Sequence, residues 1–191
     1  MTDIETRITT YPALPIADIT PLERLILSNV LDCSETEDGF ELFTDFGPRN
    51  PVRVRRKDLI ESFQASERNI EILLRTFVTD SVLAQRSDDG DDPESIVEID
   101  LSAFPWQFIV QDIIARSTTA RELVVIQWIN HPSQRPDTFG ASVSLITANG
   151  IFHATSDDLI SHFRRQDQIL ASAASDEGAL SRPAGDRGAT S

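Results

Sequence analysis

Asp58-Leu59-Ile60-Glu61-Ser62-Phe63 and Asp158-Leu159-Ile160-Ser161-His162-Phe163 write one phrase, DLIxxF, twice, each time after a strand-turn-strand pattern. Its apolar residues fall at spacings that share one helix face, and its acid sits where a helix N-terminus favours negative charge. The phrase predicts two equivalent helices that seat Leu59, Ile60, Phe63 and Leu159, Ile160, Phe163 on a sheet as core anchors. The surrounding elements recur in order: a proline-started helix at Pro21 and Pro105, strands from Phe40 and Glu122, a hairpin, then DLIxxF. The expected fold is therefore α+β, with a mainly antiparallel sheet of five to six strands packed with helices. Two related α-β-β-α halves over 20–66 and 104–166 would account for the repetition. Convergence is the alternative, since capped helices with an acid near the start are common.

A chain of 191 residues, 40% hydrophobic and 25% charged, suits one globular domain, expected over 1–170. Residues 171–191, rich in Ala, Ser, Gly, Asp and Arg, offer little apolar surface to offset ordering and are expected to be disordered. Cys33 is the only cysteine, which excludes an intrachain disulfide and a multi-cysteine metal site. The start Met1-Thr2-Asp3-Ile4-Glu5 lacks a signal-peptide pattern, and no apolar run is long enough to span a bilayer. The expected location is the bacterial cytoplasm.

The first seventeen residues, with Pro12 and Pro15, suit an extended arm or edge strand. Thr20-Pro21-Leu22-Glu23 is a capping box that opens a helix over about 21–32. Residues 34–39 read as a polar turn, 40–46 as an aromatic strand, and Val52-Arg53-Val54-Arg55 as a half-buried strand. Ile70, Leu73, Leu74, Phe77, Val82 and Leu83 predict a helix over about 67–86. A strand over 96–101 precedes a helix from Pro105 whose Trp106, Ile109, Val110, Ile113 and Ile114 face inward. Residues 122–129 form a near-continuous apolar run, the signature of a strand central in the sheet. A hairpin around Asn149-Gly150 follows, and Ser156 is placed as the cap of the closing helix.

Catalytic signatures are missing. The histidines are His131, His153 and His162, none in a nucleophile-base pattern, and Cys33 follows a helix C-terminus, which disfavours a thiolate. No metal-ligand spacing or glycine-rich phosphate loop occurs, and Asp88-Asp89-Gly90-Asp91-Asp92 fails the EF-hand pattern because Gln85 and Ser87 would stand at positions 1 and 3. No cofactor or metal is expected.

Charge is the remaining signal. Thirty-one acids against 17 bases give −14, which repels nucleic acid and anionic membrane. Asp88, Asp89, Asp91, Asp92 and Glu94 concentrate part of it, while Arg53 and Arg55 project to one side of a strand and are candidates for a phosphate, an acidic partner or the chain's own acids. The leading expectation is a non-enzymatic interaction or regulatory protein with a basic protein partner, in its sharper form an inhibitor that mimics nucleic-acid charge. The alternative is a small-ligand binder or enzyme using the 130–138 loop with His131, Arg135 and Asp137. A homodimer through a strand edge or the apolar 70–83 helix is a further expectation.

Overall fold

The computed structural model describes residues 5–66, 73–80, 92–130 and 140–180. The chain divides into two compact units, Met1–His153 and Ala154–Ser191. The fold is α+β, with a six-stranded and a two-stranded antiparallel sheet and five described α-helices. The strands are β1 (Glu5–Tyr11), β2 (Asp32–Thr36), β3 (Gly39–Thr44), β4 (Val52–Arg55), β5 (Ile96–Ile99), β6 (Glu122–Asn130), β7 (Gly140–Thr147) and β8 (Gly150–Thr155). The helices are α1 (Pro21–Val30), α2 (Arg56–Ala65), α3 (Leu73–Val78), α4 (Trp106–Arg116) and α5 (Ser156–Leu180). The large sheet runs β2-β3-β1-β6-β7-β8, and β4 pairs with β5.

Two strands differ from the sequence reading for identifiable reasons. β1 is no edge arm: it lies inside the sheet, with β3 on one side and all seven residues paired to β6 on the other. Pro12 falls just beyond the strand and so removes no ladder donor. The polar stretch from Ser34 is mostly strand, because β2 is an edge that needs only one ladder and can keep polar side chains. Glu37 and Asp38 make the turn, and Gly39 closes it at φ +137°, where a Cβ would stand 2.5 Å from the Leu14 carbonyl oxygen.

Helix α1 starts as the capping box dictates, with the Glu23 amide donating to Thr20 Oγ1 and the Thr20 amide donating to Glu23. The Leu22 amide donates to Ser66 Oγ at 3.0 Å, so α2's end satisfies α1's beginning. Leu22, Ile26, Leu27 and Val30 from α1, with all five expected residues of α4, meet Ile8, Leu42, Leu123, Val125 and Ile146 in one core. Val52, Val54 and Ile99 of the small sheet join them. Of the helix expected over 67–86 the described part is α3, where Leu74 and Val78 are buried and Phe77 stacks on Phe104 at 5.2 Å. Residues 67–72 and 81–86 lie outside the described residues.

The two DLIxxF phrases have different fates. Leu59 is 1% exposed and Phe63 packs against the core beneath Arg75, whose guanidinium lies 4.5 Å from the ring centroid. Leu159, Ile160 and Phe163 are 53%, 45% and 56% exposed, so the second triplet does not anchor a core, contrary to expectation. Identical spacing gives identical helix faces, but burial needs a surface to receive them. The cap of α5 is Thr155 rather than Ser156: Asp158 Oδ2 accepts from the Thr155 amide and hydroxyl, and Thr155 Oγ1 accepts from the Asp158 amide at 3.1 Å. Helix α5 continues past Leu170 to Leu180, where the composition suggested disorder; alanines in that stretch favour helix locally.

Candidate functional site

Side chains alternate across a strand, so each strand of the large sheet serves two faces. One face carries Ile8, Leu42, Leu123, Val125 and Ile146 into the core. The registers Thr9↔Phe43, Thr9↔Ile126 and Ile126↔Val143 set Thr9, Phe43, Ile126 and Val143 in one row across the other face. Tyr11, Val124 and Leu145 form a neighbouring row, and Arg7, Trp128 and Ala141 another. The Ser144–His153 hydrogen bond across β7 and β8 puts His153 on Ser144's face and therefore Phe152 on this one.

Tyr11, Phe43, Val143 and Phe152 are 40–58% exposed, while Val124, Ile126, Trp128 and Leu145 are half-buried. Together these side chains form a contiguous, partly open apolar band on one face of the sheet. The apolar run over 122–129 reads as a central strand, yet among its described side chains only the inward Leu123 and Val125 are buried. Its outward residues have aliphatic and aromatic character without a cover among the described residues of the first unit.

Acids flank this face on the β3 side. Glu41 lies two residues along from Phe43, Asp32 pairs across from Phe43, and Asp45 holds Arg7 at 3.5 Å. Between β1 and β3 lies a groove of about 410 Å³, walled by Phe43 and Trp128 and reached by Glu41, Asp45 and Arg7.

None of the described residues singled out from sequence lines that groove. Asp88, Asp89, Asp91, His131, Arg135 and Asp137 lie outside the described residues. Arg53 sits directly across from Glu98 and binds it at 2.6 Å, and Arg55 reaches Glu94 at 3.7 Å and Asp58 at 3.8 Å, so both cations engage the chain's own acids. Asp92 accepts from the Glu94 amide at 3.0 Å. Asp100 accepts from Ser102 and Asn50, which holds its carboxyl below the usual range. The uncovered face went unseen from sequence because apolar character says that a surface is buried, not by what; the run over 122–129 was its only trace.

The described polar groups elsewhere form few catalytic arrangements. Ser144 Oγ and His153 Nδ1 are 2.9 Å apart, but no carboxylate among the described residues hydrogen-bonds the ring and both side chains lie on an open strand pair. Among the described residues no three metal-ligating side chains converge. Burial pushes the Cys33 thiol above its usual value, more than Ser28 lowers it. Iodoacetamide at pH 7.5 should therefore alkylate Cys33 several-fold more slowly in the folded chain than in denaturant. A folded-state rate equal to that of a free thiol would contradict this environment.

A buried ion cluster ties the two principal core helices together. Glu23 of α1 is fully buried and receives Thr20 and Arg116, and Arg116 also faces Asp112 of its own helix at 3.5 Å. Burial raises the Glu23 carboxyl above its ordinary range, opposed first by the Thr20 amide and then by the Arg116 charge. Beside it Ser117 donates to Asp18 at 2.5 Å. Linking α1 to α4 through Glu23 and Arg116, the cluster holds helices together.

No described helix is long and apolar enough to cross a membrane. In comparisons with known proteins the chain matches no family model, no curated protein and no solved structure, so the functional reading rests on this geometry.

Proposed function

We propose that this is a non-enzymatic interaction protein that binds a basic protein partner through the uncovered face of its six-stranded sheet. The observation that carries the reading is the band of Tyr11, Phe43, Val143 and Phe152, exposed on a sheet whose opposite face carries the core. Contiguous apolar bands exposed on ordered elements mark interaction surfaces, and a rigid sheet presents them at little conformational cost. A net charge of −14 draws cationic partners and repels acidic ones.

The nucleic-acid-mimic form of this reading would need acids free to stand in for phosphates. Asp92 and Glu94 are both engaged within their own neighbourhood, so the apolar face rather than the acidic segment carries the proposal.

Immobilised full-length chain, Val143→Lys with Phe152→Lys, and Glu37→Lys in the β2–β3 turn give the test in native extract. Wild type and Glu37→Lys should retain the same discrete partner, and the face variant should lose it by about ten-fold or more, as expected when cations enter an apolar contact. All three should melt alike. Equal retention by the face variant, or no partner together with a defined metabolite that raises the melting temperature, would overturn the reading.

A further inference from the structure

The face is not uniformly apolar, and its asymmetry specifies the partner. At the β6, β7 and β8 side it offers Val124, Ile126, Val143, Leu145 and Phe152, with no charge among them. At the β3 side the groove over Thr9 has aromatic walls, Phe43 and Trp128, with Glu41 at hand and Asp45 already turned toward Arg7. Aromatic faces and a carboxylate beside a short floor residue make an environment for a cation on an apolar stem.

Resting on the proposed function, we infer that the partner presents an amphipathic segment bearing arginine or lysine along one margin. Its apolar side chains cover the β6–β8 band, and a cationic side chain lies in the β1–β3 groove, stem against Phe43 and Trp128, charge at Glu41. A second copy is a poorer occupant, because it would bring another −14 and a second Glu41 and Asp45 against the first. An anionic segment would meet the same carboxylates, and the cations beside them, Arg7 and Arg49, are held by Asp45 and Asp32.

The probe is a synthetic Leu/Lys amphipathic helix of about five turns. It is compared with a scrambled peptide of the same composition that lacks an apolar face and with a Leu/Glu analogue, each titrated by fluorescence anisotropy against the full chain. The Leu/Lys helix should bind at least about ten-fold more tightly than the scrambled peptide, and the Leu/Glu helix should not bind. Glu41→Gln with Asp45→Asn should weaken binding about three- to ten-fold at low salt and flatten its salt dependence, and Phe43→Ala should weaken it about three-fold. Equal affinity for the scrambled peptide, or no change in the Glu41→Gln, Asp45→Asn chain, would overturn the inference. So would a dimer in light scattering that Val143→Lys with Phe152→Lys dissolves, since a second copy would then occupy the face. If the peptide fails while face-dependent partner capture holds, the basic chemistry is wrong and the interaction reading stands. If both fail, both fall.

Discussion

Arg116→Ala should destabilise the chain by about 3–5 kcal/mol, the largest loss expected from one exposed-to-core polar change in this fold. The reason lies in what remains. Glu23 has no solvent access, and without the guanidinium its carboxylate keeps only Thr20 as partner. Burial already holds its folded-state value above the unfolded one. A carboxyl raised in this way contributes stability that is fully present below the unfolded carboxylate range and is lost as pH rises through the folded value. Removing Arg116 raises the folded value further, so the cost should be largest near neutral pH and shrink on acidification, when Glu23 can take a proton. Glu23→Gln removes that pH dependence, and the wild type should gain on it as pH falls. Urea melts of the three chains across pH 4–8 check the account. A loss for Arg116→Ala below about 1 kcal/mol, or one that grows in acid, would contradict it.

Leu59→Ala should cost about 2–5 kcal/mol, whereas Leu159→Ala, the same residue in the same phrase, should stay within about 0.5 kcal/mol. Leu59 is 1% exposed inside the core that α1, α2 and the small sheet share, and deleting its methyls leaves a cavity there. Leu159 is 53% exposed on α5, so truncation removes little that water did not already touch. Thermal melts followed by circular dichroism separate the two outcomes. Equal losses would mean that α5's apolar stripe is buried in the folded state in solution, and the distinction between the phrases would fall.

That contrast shows how far the sequence reaches. Periodicity and capping chemistry located α1 through Thr20 and Glu23 and α4 through five inward residues, because local rules decide both. The antiparallel sheet with its helices followed from the same signals. What local pattern could not carry was partnership. Of the same Leu-Ile-Phe triplet, Leu59 is core, Phe63 packs against it and Ile60 is only half-buried, whereas all three residues at 159–163 are exposed, since burial depends on elements distant in the chain. β1 looked peripheral because its prolines sit beside it, yet its two neighbours, β3 and β6, lie far along the sequence. Arg53 and Arg55, candidate binders in isolation, find Glu98 and Glu94 only when β4 and its neighbourhood assemble. The candidate face shows the same limit: an apolar run over 122–129 announces buried surface, and the described residues of the first unit cover one side of it.

The most direct test of that uncovered face is a photo-reactive benzophenone side chain placed at Val143, compared with the same group at Glu37 in the β2–β3 turn, with irradiation in native extract. Position 143 should give one discrete adduct with a basic protein, lost when Phe152→Lys is added, and position 37 should give little or none. No adduct from position 143, or the same adducts from both positions, would contradict the claim that this sheet face is where the protein binds its partner.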